Sequence, residues 1–184
     1  EALSFVCDIL VGFDLKKDIR VIASGKTFSG FHLVKNLALG ADMCNSARGM
    51  MIALGCVQTL ECNTNKCPTG VATQDPKLAR GLVVPDKAER VARYHKATVN
   101  SALEIIASAG LRSTEDLNRS HIFRRVSQTE VRRFDEIYQS PTPGSFFDDE
   151  KPTKFAQALE ESCPDSFYPK HYMAETNEGL KEVS

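Results

Sequence analysis

Two short apolar runs joined through one helical stretch constrain this chain more than any other feature. Ile19 to Ala23 is β-branched and nearly uniformly apolar, the composition of a strand covered on both faces. "ADMCNSA" offers a second short strand over Asp42 to Asn45. Between them, "SGKTFSG" leads into the helical stretch "FHLVKNLALG", closed by Gly40. Strand, loop, helix and strand in that order make a βαβ unit, and α/β sheets built this way gather ligands at the carboxyl ends of their strands. Two parallel strands cannot close a sheet, and apolar residues on both faces would leave hydrophobic surface bare. The pattern therefore predicts an α/β fold whose missing strands lie upstream of Glu1 or come from a partner chain.

The flanking segments read as helices. Leu3, Val6, Leu10 and Phe13 place one apolar stripe on a helix from Glu1 to Phe13. "VVPDKAERVARYHKATVNSALEIIASAGL" predicts the longest helix, Asp86 to Ala109, with Pro85 before it and Asp86 and Glu89 as a capping box. A second box, Ser113 to Asp116, opens a short helix, and Ser127 to Gln139 reads as another. From Ser140 onward the chain turns to Pro, Gly and acidic residues. Residues 1–139 are accordingly expected to form the domain and 140–184 a tail or linker, with a short helix at Phe155 to Glu161.

Composition narrows the classes of function. The 184 residues are 42% hydrophobic with a formal net charge of −1, and the pI is about 6.5. That balance suits one ordinary domain and lacks the basic excess of a nucleic-acid binder. No apolar run approaches the ~20 residues of a membrane-spanning helix, and no basic start with an apolar core marks a secretory signal, so the expected compartment is the cytoplasm.

The densest chemistry is in "GCVQTLECNTNKCPTGVATQD", where Cys56, Cys62 and Cys67 stand at C-x5-C-x4-C spacing. Disulfide pairing would leave one thiol over. Zinc would need a fourth ligand brought in by the fold. Three inert buried cysteines fit poorly with neighbours as polar as Glu61, Asn63, Thr64, Asn65 and Lys66. A 3Fe-4S cluster anchors its irons with three cysteines, and the tight "NTNK" loop could turn backbone N–H groups toward sulfur. The count favours the cluster, with zinc and an inert loop left open. His32 and His95 read as helix histidines, His121 and His171 as surface residues, and Met50 and Met51 as core. Gln74 and Asp75 are read as fixing the return of the loop or capping "PKLA". The arginine-rich run "RSHIFRRVSQTEVRRF" is read as a solvated face.

Two stretches, "VIASGKTFSGFHLVKNLALGADMCNSARGMMIALGC" and "CNTNKCPTGVATQD", continuing through the long helix to about Val126, resemble the C-terminal part of the flavin domain of glutamate synthase. The resemblance implies the last two βα units of a (β/α)8 TIM barrel carrying FMN, with a 3Fe-4S cluster on Cys56, Cys62 and Cys67 and a helical C-terminal extension. It implies that Ser24, Gly25 and Lys26 after the first strand, and Ser46, Ala47 and Arg48 after the second, hold the FMN phosphate, as barrel loops seven and eight commonly do. It further implies reductive formation of glutamate from a 2-oxoglutarate-like substrate. The electron donor would be ferredoxin or a reduced-nucleotide oxidoreductase subunit, the nitrogen source a possible separate amidotransferase, and the catalytic groups would lie upstream of Glu1. At "ASGKTFSG" the chain departs from the better-known enzymes, which tend to carry an Asp and a Gly-Gly pair in place of Ser24 and Gly25-Lys26, and Asn63 stands where many relatives have His.

Overall fold

The computed structural model describes residues 1–148 and 151–168; His171 and the end of the expected tail lie outside them. Chain order is α1 (Ala2–Gly12), β1 (Ile22–Ala23), α2 (Gly30–Ala38), β2 (Met43–Cys44), α3 (Ala47–Leu54), α4 (Pro76–Ala79), α5 (Val84–Ser108), β3 (Phe123–Arg125), β4 (Val131–Arg133), α6 (Phe134–Ile137) and α7 (Thr153–Glu161). The fold is α/β, and the βαβ unit read from the sequence is present: β1 pairs with β2 in parallel, Ile22 opposite Met43 and Ala23 opposite Cys44. The strands are shorter than the apolar runs that announced them, and they are covered on one face only. Ala23 is 7% exposed, whereas the neighbours Ile22 and Met43 are 52% and 50% exposed. That second face is about half open to solvent.

The core forms where α2 lies on α5. Val34, Ala38 and Leu39 pack with Ala102 and Ile106, and Ile122 and Phe134 close the far side. Contact is closest at Gly30, where a Cβ would sit 2.5 Å from the Ala102 backbone nitrogen, so only glycine lets the two backbones approach this far. The α2 N-terminus is set by Ser29, whose hydroxyl accepts the His32 N–H. α5 starts at Val84, two residues before the expected capping box, and no side chain caps it. Pro85 preorganises that first turn and Asp86 complements its dipole. His95 is exposed on the same helix.

Three features differ from the sequence reading. The segment from Ser127 is not a helix but the turn of an antiparallel hairpin, β3 against β4 with Arg124 opposite Arg132. Ser127 Oγ accepts the N–H groups of Thr129 and Glu130, a local turn that competes with helix, and the helix is left with Phe134–Ile137 alone. The Ser113 box opens a single 3-10 turn, Thr114–Asp116. α3 was not anticipated.

The expected tail also packs, as far as it is described. Phe146 and Phe155 are 1% and 2% exposed, and Phe155 stacks on Phe5 of α1 at 5.3 Å. Gly12 makes room for Phe146, whose ring carbon lies 2.2 Å from where a Cβ would be. A buried ion pair, Arg119 Nη2 to Asp8 Oδ1 at 2.7 Å, joins the same helix to a point 111 residues on. No helix among the described residues is long and apolar enough to cross a membrane.

At the amino end of the sheet, Asp42 accepts from Lys16 Nζ at 2.6 Å, the Val21 N–H at 2.7 Å and Arg20 Nη1 at 3.3 Å. Burial alone would raise this carboxyl, but the hydrogen bonds outweigh it and hold Asp42 below its ordinary value. A depressed carboxyl stabilises the fold above its unfolded value, near 3.9, and that contribution disappears as pH falls through the lower folded value. Asp42→Asn should therefore cost about 1–2 kcal/mol at neutral pH, a deficit that closes in urea titrations carried progressively below about pH 4. Gly30→Ala should lower the urea midpoint by the equivalent of about 1–3 kcal/mol with an unchanged slope, because the α2–α5 contact must open.

Candidate functional site

Because β1 and β2 run parallel in this register, the chain leaves both strands at the same edge of the sheet. The two triplets read from the sequence emerge there together: Ser24, Gly25 and Lys26 after β1, and Ser46, Ala47 and Arg48 after β2. The loops are tied to each other. Asn45 N–H donates to the Ala23 carbonyl at 2.8 Å, and Ser46 Oγ donates to the Thr27 carbonyl at 2.6 Å. With its hydroxyl committed to Thr27, Ser46 does not cap α3, so the first N–H groups of that helix keep no side-chain acceptor and favour an anion.

Backbone shape at this edge suits the same ligand. Gly25 and Lys26 are both left-handed, at φ +93° and +54°, and the position of a Cβ on Gly25 meets nothing within 4 Å. The loop thus turns sharply and leaves open space beside it. Ser24, Gly25, Lys26, Ala47 and Arg48 are exposed and Ser46 is half-buried. Two cationic side chains, the Ser24 hydroxyl and uncapped helical N–H groups make a donor set that fits a phosphate monoester.

The cysteine loop follows α3, whose C-cap Gly55 is left-handed at φ +107°. Cys56 is half-buried, Cys62 exposed and Cys67 buried, and all three are free thiols. Among the described residues no three His, Cys, Asp or Glu side chains gather as a metal-holding group, so the three cysteines share a loop without converging. The loop is closed by Asn65, left-handed at φ +64°, whose Oδ1 accepts the Gln74 N–H at 2.6 Å and whose carbonyl accepts from Thr73 Oγ1 at 2.7 Å. Of the two sequence readings for Gln74 and Asp75, Asp75 takes the cap, accepting the Lys77 N–H at 2.8 Å at the start of α4, and the loop return is closed by the Gln74 backbone and not by its side chain.

The cysteines divide by chemistry. Cys67 is pulled down to about 7, first by the Thr69 hydroxyl and then by backbone N–H groups of Ala72, Thr69 and Val71. Donors turned onto sulfur favour thiolate, the form that ligates metal. Cys7 and Cys44 are the opposite case, their thiols pushed up by burial.

Residues 1–112 match the family described as "conserved region in glutamate synthase". The chain belongs to the glutamate synthase family. Among the curated relatives of this family, the "glutamate synthase large subunit-like protein YerD" of Bacillus subtilis (strain 168) is 37% identical over 136 residues, 74% of this chain and 26% of its own length. The "archaeal glutamate synthase [NADPH]" of Methanocaldococcus jannaschii is 38% identical over 103 residues, 56% of this chain and 20% of its own length. The "ferredoxin-dependent glutamate synthase" of Pyropia yezoensis is 34% identical over 131 residues, 70% of this chain and 8% of its own length. The chain thus spans about a quarter, or less, of the glutamate synthases it matches.

Two contacts at this edge had no sequence signal of their own: the Ser46 bond to Thr27, and a bond from Tyr94 on α5 to the Phe28 carbonyl at 2.9 Å. Ser46→Ala should cost about 1 kcal/mol and speed hydrogen exchange of amides in residues 24–28, with the α2–α5 core unaffected.

Proposed function

We propose that this chain is part of a glutamate synthase-like oxidoreductase in which electrons reach FMN through a 3Fe-4S cluster. Cys56, Cys62 and Cys67 would be the cluster ligands, and Ser24, Gly25, Lys26, Ser46, Ala47 and Arg48 would hold the FMN phosphate. The observation that carries the reading is the carboxyl edge of β1 and β2, where two loops distant in sequence are bound to each other by Ser46 and offer one set of anion-binding groups. Membership of the glutamate synthase family supports the reading.

On this reading β1 and β2 are the last two strands of a (β/α)8 barrel, and the bare face formed by Ile22 and Met43 is covered by the others. Bound to these residues, the flavin would supply hydride for an imine carbon and the cluster would supply single electrons. The chain's own residues have the binding tasks. Lys26 and Arg48 neutralise phosphate charge, Gly25 admits the phosphate against the backbone, and Thr69 with its neighbouring N–H groups keeps Cys67 ready as thiolate. The product would be glutamate, formed from a 2-oxoglutarate-like substrate and nitrogen from ammonia or a separate amidotransferase. Ferredoxin or a reduced-nucleotide subunit would be the electron donor, in the cytoplasm, and the groups that bind substrate would lie in the remainder of the protein.

The test is metal and flavin content of the full-length protein, purified anaerobically. About three irons and about four sulfides per chain, with an oxidised-state EPR signal lost in Cys67→Ser, are expected. Zinc, or no metal in a protein that retains flavin, would replace the cluster with a structural loop. Arg48→Ala should weaken FMN binding by about tenfold, as loss of a charge-assisted bond does.

A further inference from the structure

The loop between β1 and α2 is held from two sides. Ser46 Oγ binds the Thr27 carbonyl at 2.6 Å from the neighbouring loop. One residue further on, Tyr94 Oη binds the Phe28 carbonyl at 2.9 Å, reaching across from α5 over 66 residues of sequence. Neither hydroxyl caps a helix or joins another side chain in doing so. Two successive carbonyls of one loop are therefore fixed by hydroxyls from two different elements, directly after the left-handed pair Gly25 and Lys26.

Gly49 makes the second of these contacts possible. A Cβ at position 49 would lie 2.1 Å from Tyr94 Oη and 2.9 Å from Ser46 Oγ, so the absent side chain is the space both hydroxyls occupy. Gly49 is buried in the interior of α3, where glycine is unfavourable by about 1 kcal/mol relative to alanine. Passage of the tyrosine hydroxyl gives that cost a structural reason. Tyr94 borders a groove of about 440 Å³ with Phe28, Gly49, Ile52, Ala53, Arg90 and Arg93, and its hydroxyl reaches past Gly49 to the loop.

We propose that Tyr94 is a positioning residue for the phosphate edge: its hydroxyl, admitted by Gly49, holds the Phe28 carbonyl and so fixes the 24–28 loop against the first turn of α3. The proposal rests on the reading of that edge as the FMN phosphate site. It goes beyond it by giving α5 a part in selecting phosphorylated from unphosphorylated flavin. Without the hydroxyl the loop keeps only its inner tether, Ser46 to Thr27, and Gly25 and Lys26 are held less tightly against Ser46 and Arg48.

The experiment titrates the flavin-stripped full-length protein with FMN and with riboflavin, following flavin fluorescence. Tyr94→Phe removes one oxygen and keeps the ring. It is expected to raise the Kd for FMN about fivefold to tenfold while leaving riboflavin unchanged, the size of one lost hydrogen bond. Gly49→Ala should reduce FMN preference in the same way, and should add less in the Tyr94→Phe background, where the oxygen it strikes is gone. Equal weakening of both flavins in Tyr94→Phe would make the tyrosine a general structural residue and overturn the proposal, as would no change for either. Arg48→Ala separates the two levels. If it lowers FMN preference and Tyr94→Phe does not, the phosphate reading stands and the role of Tyr94 fails; if neither variant alters that preference, both fall together.

Discussion

The close approach of α2 and α5 at Gly30 and Ala102 is the contact on which the candidate site depends. The loop after β1 has only six residues, Ser24 to Ser29, between the end of the strand and the first residue of α2. Fixing the start of α2 against α5 therefore fixes one end of the loop, and the pairing of Ala23 with Cys44 fixes the other. The same α5 carries Tyr94 eight residues before Ala102, about 12 Å along the axis at 1.5 Å per residue, where it meets the Phe28 carbonyl. One helix thus sets both where the loop ends and how it is held on the way. Substitution at the α2–α5 crossing would reach the anion edge through rigid elements.

Around α1 the packing has a different character. Asp8 and Arg119 form a buried pair with side chains 2% and 9% exposed, and Arg119 also donates to the Tyr138 carbonyl at 2.7 Å. Such a pair contributes little net stability relative to an apolar substitute, yet losing one partner leaves a buried charge, which makes it a device for registry. Together with Phe146 and Phe155 it locks residues of the C-terminal third onto one face of α1. Pro, Gly and acidic residues at 140–152 made that region look solvated. Two aromatic anchors separated by polar residues are enough to dock it, because one buried phenylalanine removes more apolar surface than several exposed carboxylates resist.

Legibility followed the range of the physical signal. The βαβ unit was readable because its period change and its closing glycine are local, while the six positions after the two strands came from the family resemblance. The long α5 was readable to within two residues. The Ser127 segment was misread because Ser127 and Glu130 stand at capping-box spacing before a charged stretch, while the cross-strand pairing that decided the matter is visible only in three dimensions. α3 escaped notice for a related reason: Gly49 breaks its helical propensity, and the cause, a tyrosine hydroxyl arriving from 45 positions away by subtraction, is tertiary. The cysteine spacing announced metal chemistry, but spacing carries no information on convergence, which depends on the path of the intervening loop.

Electrostatics separates the two ends of the small sheet. At the amino end, Lys16 and Arg20 are answered by Asp42, whose carboxylate also takes the Val21 N–H. An anion arriving there would compete with a carboxylate already held by three donors. At the carboxyl end, Lys26 and Arg48 have no salt-bridge partner among the described residues, and the one hydroxyl that could have capped α3 is turned to Thr27 instead. Positive side chains, uncapped N–H groups and the left-handed Gly25 accumulate at one edge, while at the other a carboxylate offsets one of the two cations. Because a helix end acts only over about one turn, the field of the uncapped α3 N–H groups is felt at the carboxyl edge of the strands and not at the amino end.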